Sequence, residues 1–444
     1  MSIQIYSIIG LVLIFLVATL RSVNMGAVAF LGAFAVGTFV FSESEDDLFS
    51  GFPGDLFVVL VGVTLLFSIA KSNGTVDWLI HVGVRAVRGR IAFIPWVMFA
   101  VTSLLTMVGA VVPGAVALMA PVGLNFATRY RINPLLMGLL IINGGSAGGF
   151  SPISIFGSIT NGVVERNNLP GNPVLLWVSS FVINLLLSLL VFFIFGGREL
   201  LGRRVETISA SPGDEPDTSG TGGTGGTGGT TTATRTAVTT ATTVTTLNAQ
   251  RVVTLAGLVV LVVGSLVLEF DVGLLALSIA TVICLFSPKA TKGCFSEVAW
   301  PTVLLICGVV TYVSLMERVG TIDYLGHSVA GIGIPLLAAF VICLIGAAVS
   351  AFASTTGILG ALIPLAVPFL LAGQVGAVGM IIALALSSSI VDSSPFSTSG
   401  ALVVASSPAE VRDRTFRGLM IWGLSMIVVA PVLMWTLFVV PGWL

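Results

Sequence analysis

Long apolar runs separated by short polar segments occur along the whole chain. The runs at 5–20, 24–41, 56–70, 174–195, 252–268, 271–287, 301–316 and 418–440 approach the roughly 20 residues that a helix needs to cross a bilayer. This pattern predicts an all-α polytopic membrane protein. The first run lacks a basic leader and a small-residue cleavage site, so we expect a retained helix rather than a signal peptide.

The composition points the same way. Hydrophobic residues make up 56% of the chain and charged residues 9%, whereas soluble domains carry about 25% charged residues. The lipid bilayer is therefore the expected environment, and we expect no nucleic-acid partner. The four cysteines have no metal-type spacing and are expected to serve as small packing residues.

Two segments interrupt the apolar pattern. Residues 148–157 read GGFSPISIFG and residues 391–400 read VDSSPFSTSG. Glycine, proline and serine at this density predict a broken membrane helix at each place. Non-helical backbone is tolerated at membrane depth only where it is buried in protein or lines a water-filled cavity, so each break is a candidate binding site. The alternative is a pair of proline kinks that serve packing alone.

The two interruptions belong to an internal repeat. Residues 74–81 read GTVDWLIH and residues 320–327 read GTIDYLGH, which is an offset of 246 residues (320 minus 74). Further along the offset becomes 243, where Ser151-Pro152 matches Ser394-Pro395. A register held over about a hundred residues indicates duplication. We predict a first transmembrane repeat at 1–201 and a second at 250–444.

The segment between the repeats, 202–249, is rich in glycine and threonine and nearly free of aromatic residues. Such a sequence cannot bury enough apolar surface to fold, so it predicts a disordered linker.

Basic residues predict the topology. We expect each repeat to contain five crossings and one re-entrant hairpin, giving about ten spans and two hairpins. Five is odd, so the repeats would be inverted relative to each other. With both termini outside, 17 of the 19 basic residues fall on the cytoplasmic side together with the linker. Reading 91–108 and 114–127 as two full spans leaves this parity unchanged, so the hairpins remain a hypothesis.

Inverted repeats with interrupted helices are typical of secondary transporters, which bind substrate near the bilayer midplane. The second hairpin would carry hydroxyls at its tip, whereas the first tip, Val111-Val112-Pro113, offers no side-chain oxygen. The candidate substrate-binding residues lie at the breaks and at the second tip: Ser151, Pro152, Ser154, Ser354, Thr355, Thr356, Ser394, Pro395 and Ser397. Packing of small residues is the alternative for the tip.

Asp392 is the one acid predicted deep in a span. An ionisable residue there implies an ion path, a proton relay or a partner. The alternative is a carboxylate at the membrane edge, satisfied by water or by Arg412. The candidate ion-coupling residues surround the breaks and the second tip: Asn143, Gly144, Ser146, Gly357, Ser389, Asp392 and Ser393. For Asn143 a helix-packing hydrogen bond is an equal alternative.

The two histidines do not indicate catalysis. His81 and His327 each follow an aspartate, Asp77 and Asp323, by four residues, which predicts Asp–His pairs on interfacial helices. No His-Glu-x-x-His pattern occurs, so an intramembrane enzyme is not expected.

These features resemble the ion transporter superfamily. The chain is similar to the divalent anion/sodium symporters and most similar to the MatC-type malonate/dicarboxylate carriers. Members have inverted repeats, each with a hairpin that carries a Ser-Asn-Thr motif. Counting back from Pro364, Ser354-Thr355-Thr356 lies where that motif belongs, whereas Val111-Val112-Pro113 lacks it.

The resemblance implies a sodium- or proton-coupled transporter of small carboxylates that works by alternating access in a plasma membrane of prokaryotic type. It also implies that a sodium ion is the one cofactor to consider, and it leaves a homodimer open. A cation/proton antiporter or an oxyanion transporter of the same superfamily is the alternative, and a channel is a further one.

Overall fold

The computed structural model describes residues 4–21, 23–76, 78–79, 82, 90–203, 248–268, 270–288, 291–321, 324, 335–351, 355–371 and 375–442. Ser354, the two predicted Asp–His pairs and nearly all of the predicted linker lie outside the described residues.

The described residues form helices and turns, with no β-strand among them. The first half contains α1 (Gln4–Arg21), α2 (Met25–Val40), α3 (Glu45–Ser50), α4 (Gly54–Ser72), α5 (Ile94–Met107), α6 (Val112–Tyr130), α7 (Pro134–Gly149), α8 (Ile155–Arg166), α9 (Pro173–Ile194) and α10 (Gly197–Leu200). The second half contains α11 (Ala249–Leu266), α12 (Val272–Phe286), α13 (Trp300–Arg318), α14 (Pro335–Ser350), α15 (Thr355–Leu371), α16 (Ala377–Ile390), α17 (Thr398–Ser406) and α18 (Ala409–Met434).

Several helical segments have the length and apolarity of membrane spans. Among the described residues five segments qualify on both criteria: Gly54–Ser72, Pro173–Ile194, Trp300–Arg318, Ala377–Ser406 and Ala409–Val439. Shorter apolar helices accompany them, including α2, α7 and α14. The chain is thus an all-helical, polytopic membrane protein.

The helices pack in two groups. In the first group α2 packs on α13, α4 packs on α12, and α1 and α11 flank these pairs. In the second group α5, α6 and α9 pack on α7, while α14, α15 and α18 pack on α16. Each group therefore draws helices from both halves of the chain. Contacts between the groups include those of α4 with α8 and of α13 with α15.

Glycines permit the closest approach inside the first helix group. A Cβ atom on Gly308 of α13 would lie 2.0 Å from the carbonyl oxygen of Gly26, and one on Gly26 would lie 1.9 Å from that of Leu304. In the other pair of this group, α4 and α12, a Cβ atom on Gly62 of α4 would lie 2.7 Å from the carbonyl oxygen of Gly273 of α12. Backbone contacts this close leave no room for a side chain, as is usual where membrane helices associate through small residues.

Substitution of Gly308 by alanine is expected to destabilise the fold. The added methyl group would collide with the backbone of α2, and overpacking of this kind costs about 1–3 kcal/mol or more. We therefore expect Gly308→Ala to lower the midpoint of thermal unfolding in detergent. Gly54→Ala is the matched control, because a Cβ atom at Gly54 meets no atom within 4 Å. Equal melting midpoints for the two variants would show that α13 is not packed against α2 as described.

Candidate functional site

The first interruption separates α7 from α8. Helix α7 ends at Gly149, and α8 begins at Ile155 after a short irregular segment. Ser154 is the N-cap of α8: its hydroxyl donates to the carbonyl oxygens of Gly149 and, at 2.7 Å, of Ser151, and accepts the backbone N–H of Gly157 at 3.4 Å. One serine thus satisfies backbone groups on both sides of the break.

The second interruption has the same hydrogen bonds. Helix α16 ends at Ile390, a 3₁₀ turn covers Val391–Ser393, and α17 begins at Thr398. The Ser397 hydroxyl donates to the carbonyl oxygens of Asp392 at 2.5 Å and Ser394 at 2.7 Å, and accepts the backbone N–H of Gly400 at 3.3 Å. These residues lie 243 positions after their counterparts at the first break (397 minus 154).

A glycine is required at the same place after each break. A Cβ atom on Gly157 would lie 1.9 Å from the carbonyl oxygen of Ser151, and one on Gly400 would lie 1.9 Å from that of Ser394. The irregular segment therefore folds back onto the first turn of the following helix. Both helices end where the sequence pattern predicts an interruption.

Asp392 provides the carboxylate of the second break. Its side chain is 2% exposed. The carboxylate accepts the Ser399 hydroxyl at 2.6 Å and also the Ser399 backbone N–H, so it lies at the N-terminus of α17. Helix N-termini stabilise negative charge, and a buried carboxylate needs such donors.

The second predicted hairpin reaches this carboxylate through hydroxyl groups. The Thr355 side chain, at the start of α15, lies close to Asp392. Thr355 also contacts Ser350, the last residue of α14, at 2.9 Å between hydroxyl oxygens. Ser350 in turn donates to the carbonyl oxygen of Ser388 at 2.7 Å. A chain of hydrogen bonds thus connects α14, α15 and α16 around one ionisable group.

Asp392 does not pair with the arginine of the membrane-edge alternative. Arg412, the proposed partner in that alternative, donates instead to the carbonyl oxygen of Ser407, at 3.2 and 3.3 Å. Asp392 is therefore paired with hydroxyl and amide donors rather than with a basic side chain.

The first break contacts the first predicted hairpin through backbone groups. The Ser151 hydroxyl donates to the carbonyl oxygen of Met107, the last residue of α5, at 2.7 Å. A Cβ atom on Gly148 would lie 2.0 Å from the carbonyl oxygen of Ser103, so α7 and α5 touch backbone to backbone. This side of the molecule holds no ionisable group equivalent to Asp392, because Gly149 occupies the matching position.

Helix packing brings the two breaks and the helices of the two predicted hairpins together. Helix α15 packs on α8, and α6 packs on α17. The second helix of each predicted hairpin therefore lies against the helix that follows the break of the other half. Helix α7 also contacts the 3₁₀ turn Val391–Ser393. The two interruptions therefore lie close together, as expected where a ligand site forms between half-helices.

The remaining predicted substrate-binding residues differ in exposure and in the hydrogen bonds that they already make. Thr356 is 4% exposed and Ser394 is 1% exposed; Ser394 accepts the backbone N–H of Phe396 at 3.3 Å. Pro395 is buried, whereas Pro152 is partly exposed. The protons of Ser151, Ser154 and Ser397 already bond backbone carbonyls.

Several predicted ion-coupling residues have structural partners. Ser389 and Ser393 donate to carbonyl oxygens within their own helical segment, Leu386 and Ile390, at 3.2 and 2.9 Å. A Cβ atom on Gly144 would lie 2.4 Å from the carbonyl oxygen of Phe99, which indicates packing against α5. Gly357 lies in the first turn of α15.

Asn143 and Ser146 belong to a polar interface between α7 and α9. The Asn143 amide donates to the Ser188 hydroxyl at 3.2 Å, which is the helix-packing alternative stated above. The Ser180 hydroxyl donates to the carbonyl oxygen of Ser146 at 3.0 Å. Asn184 lies between these two serines, fully buried, and its amide oxygen has no hydrogen-bond donor among the described residues. The spacing of 180, 184 and 188 places three polar side chains on one helical face, which is a sequence signal for this interface.

Removal of either cap serine is expected to destabilise its break. Loss of an N-cap side chain costs about 0.5–2 kcal/mol. Ser154→Ala and Ser397→Ala should therefore both lower the thermal unfolding midpoint in detergent. Ser425→Ala is the control, because its hydroxyl bonds only the carbonyl oxygen of Trp422 within α18. If neither cap variant melts below this control, the serines do not hold the breaks.

Comparison with known proteins adds one match. Residues 1–149 match the family described as the N-terminus of the dicarboxylate carrier protein MatC. The match ends at Gly149, the last residue of α7, and covers the first third of the chain. It confirms the similarity to MatC-type carriers that the sequence motifs indicated. A search of curated proteins finds no match to this chain.

Proposed function

We propose that this chain, whose first 149 residues match the MatC N-terminal family, is a secondary transporter of small carboxylates of the malonate or C4-dicarboxylate type. The family match and the polytopic helical fold support a carrier embedded in a membrane rather than an enzyme. The substrate class comes from the carrier named in that family.

The arrangement at the breaks supports an inverted-repeat carrier. Paired hydrogen bonds at Ser154 and Ser397 follow the repeat offset, and the helices α5–α6 and α14–α15 occupy the positions of the two predicted hairpins. In this proposal the two halves alternate in opening the common centre to either side of the membrane.

A substrate carboxylate needs donors that the protein does not already use. The cap hydroxyls are committed to backbone carbonyls, so Thr356, Ser394 and the free backbone N–H groups at the start of α8 are the groups that we assign to it. Helix N-termini bind anions without requiring a basic side chain. The serines Ser151, Ser154 and Ser397 then shape the site rather than bind the substrate directly.

Coupling is assigned to Asp392, and its hydrogen bonds are the observation that carries this step. Its carboxylate accepts the Ser399 hydroxyl at the start of α17 and lies close to Thr355 at the start of α15. A proton or a cation bound there therefore changes how α15 and α17 are held. Protonation removes the charge that the start of α17 stabilises. A sodium ion is the alternative coupling ion and would use the same carboxylate together with carbonyl oxygens of the break.

A cation/proton antiporter is the second candidate function. The same buried carboxylate favours it, because an acid held by hydroxyl groups can bind and release a cation without an organic substrate. This candidate predicts cation/proton exchange in vesicles that contain no carboxylate.

Counterflow in proteoliposomes tests the proposal. Vesicles preloaded with malonate or succinate should accumulate the labelled acid from outside, and accumulation should depend on a sodium or proton gradient. Asp392→Asn should abolish the gradient dependence and lower accumulation roughly tenfold, in the range typical of coupling energies. Asp413→Asn is the matched control, because this acid is exposed on α18.

Two results would contradict the proposal in different ways. If no carboxylate is taken up but cation/proton exchange is intact, the antiporter becomes the supported function and the carboxylate carrier is rejected. Carboxylate uptake that stays coupled in Asp392→Asn would keep the carrier and remove Asp392 from the coupling site.

A further inference from the structure

One ion pair connects the two helix groups. Arg166, the last residue of α8, pairs with Asp55 in the first turn of α4. The Arg166 Nε donates to one carboxylate oxygen of Asp55 at 3.2 Å, and Nη2 donates to the other. Bidentate arginine–carboxylate pairs require a defined geometry, so a change in the relative position of the two helices breaks them.

Other ion pairs of the described residues stay within the first helix group. Lys71 of α4 pairs with Glu297 at 2.9 Å, shortly before α13 begins. Arg318 at the end of α13 pairs with Glu43 at 2.9 Å, shortly before α3. These pairs do not change when one group moves against the other, which makes them internal controls for Arg166–Asp55.

The two ends of α4 have different relations to the second group. Near its start, Leu56 packs against α8 so closely that a Cβ atom on Gly162 would lie 2.9 Å from a Leu56 methyl carbon. Towards its end, a cavity of about 220 Å³ separates one face of α4, which includes Ser68 and Lys71, from the helix α6, which includes Gly114 and Ala117. Helix α4 therefore contacts the second group near its start and at Val63, which packs on Gly109, whereas the cavity separates its last turns from α6.

In the second half of the chain, the two equivalent helices are in direct contact, with no such separation. By the repeat offsets, α13 corresponds to α4 and α15 corresponds to α6 (300 minus 54 is 246, and 355 minus 112 is 243). Helices α13 and α15 pack on each other, with Ile306 3.5 Å from the Cβ position of Gly360. Equivalent interfaces are thus closed in one half and open in the other, as expected for one of two alternating conformations.

We propose that the Arg166–Asp55 pair is a latch that stabilises this conformation, in which the cavity between α4 and α6 is open. In the alternate conformation the second helix group shifts along α4, the pair separates and the cavity closes, so that Leu60 and Ala117 approach as Ile306 and Gly360 do here. The two-conformation step rests on the proposed transport function, whereas the latch itself rests on the ion pair.

The latch biases the equilibrium between the conformations. The side chains of Arg166 and Asp55 are 29% and 58% exposed, and partly exposed pairs of this kind change an equilibrium by about two- to fivefold. A tighter pair would trap the carrier, because each transport cycle must break it.

Thiol labelling at Ala117 tests the latch without any substrate. Ala117 is exposed and lines the cavity, so Ala117→Cys should react with a membrane-impermeant maleimide in open vesicle fragments, where both membrane faces are accessible. The background carries Cys284→Ser, because the other three cysteines are buried. Adding Asp55→Asn should slow the labelling about two- to fivefold, because the cavity then closes more often.

A charge exchange and a matched pair complete the experiment. The double variant Asp55→Arg with Arg166→Asp should restore the labelling rate, which a misfolded protein could not do. Glu43→Gln removes the acid of the Arg318 pair and should leave the rate unchanged. Labelling that is insensitive to Asp55→Asn, or a slow rate that the charge exchange does not restore, overturns the latch.

This readout separates the latch from the proposed substrate. If the labelling rate changes with the Asp55 and Arg166 variants as predicted but no carboxylate is taken up, the latch is kept and the proposed carboxylate substrate is rejected. If carboxylate is taken up but the labelling rate is the same with and without Asp55→Asn, the carrier function is kept and the latch is rejected.

Discussion

The arrangement depends on one constraint: backbone N–H and C=O groups inside a membrane must be hydrogen-bonded within the protein. This chain interrupts two of its helices in buried surroundings, which frees such groups at α7–α8 and again at α16–α17. A single serine at each break, Ser154 or Ser397, bonds carbonyl oxygens before the break and an amide after it. The following glycine lets the segment fold back tightly. The breaks can therefore be ordered and still lie beside a central site.

The two breaks share this frame but differ in chemistry. The position that holds Asp392 in the second break holds Gly149 in the first. Near Asp392 the helices α14 and α15 supply the hydroxyls of Ser350 and Thr355, whereas α5 meets the first break through the Met107 carbonyl oxygen. Buried charge is costly unless it is paired and hydrogen-bonded, so one ionisable group is surrounded by donors and the other break stays neutral. This difference is why we assign coupling to the second break.

Sequence patterns predict the helical membrane class, the places of both breaks and the burial of Asp392, because apolar length, glycine–proline–serine density and a lone deep acid are local signals. They could not predict that Ser399 donates to Asp392 or that Ser350 bonds Thr355 and the Ser388 carbonyl oxygen beside it, since those contacts depend on how helices meet. Nor could they predict that the Asn143 amide N–H donates to Ser188 on α9. The interlocking of the two halves through Gly26 and Gly308 likewise depends on three-dimensional packing that spacing alone does not show.

The central claim is that both breaks and the second hairpin tip face one carboxylate-binding centre. An experimental structure of the protein with bromosuccinate tests it most directly, because bromine gives an anomalous signal that locates the ligand. We predict bound bromosuccinate between the start of α8 and the segment Ser394–Ser397, within hydrogen-bonding distance of Thr356. A ligand found only in the cavity between α4 and α6, or at the membrane surface, would contradict this account.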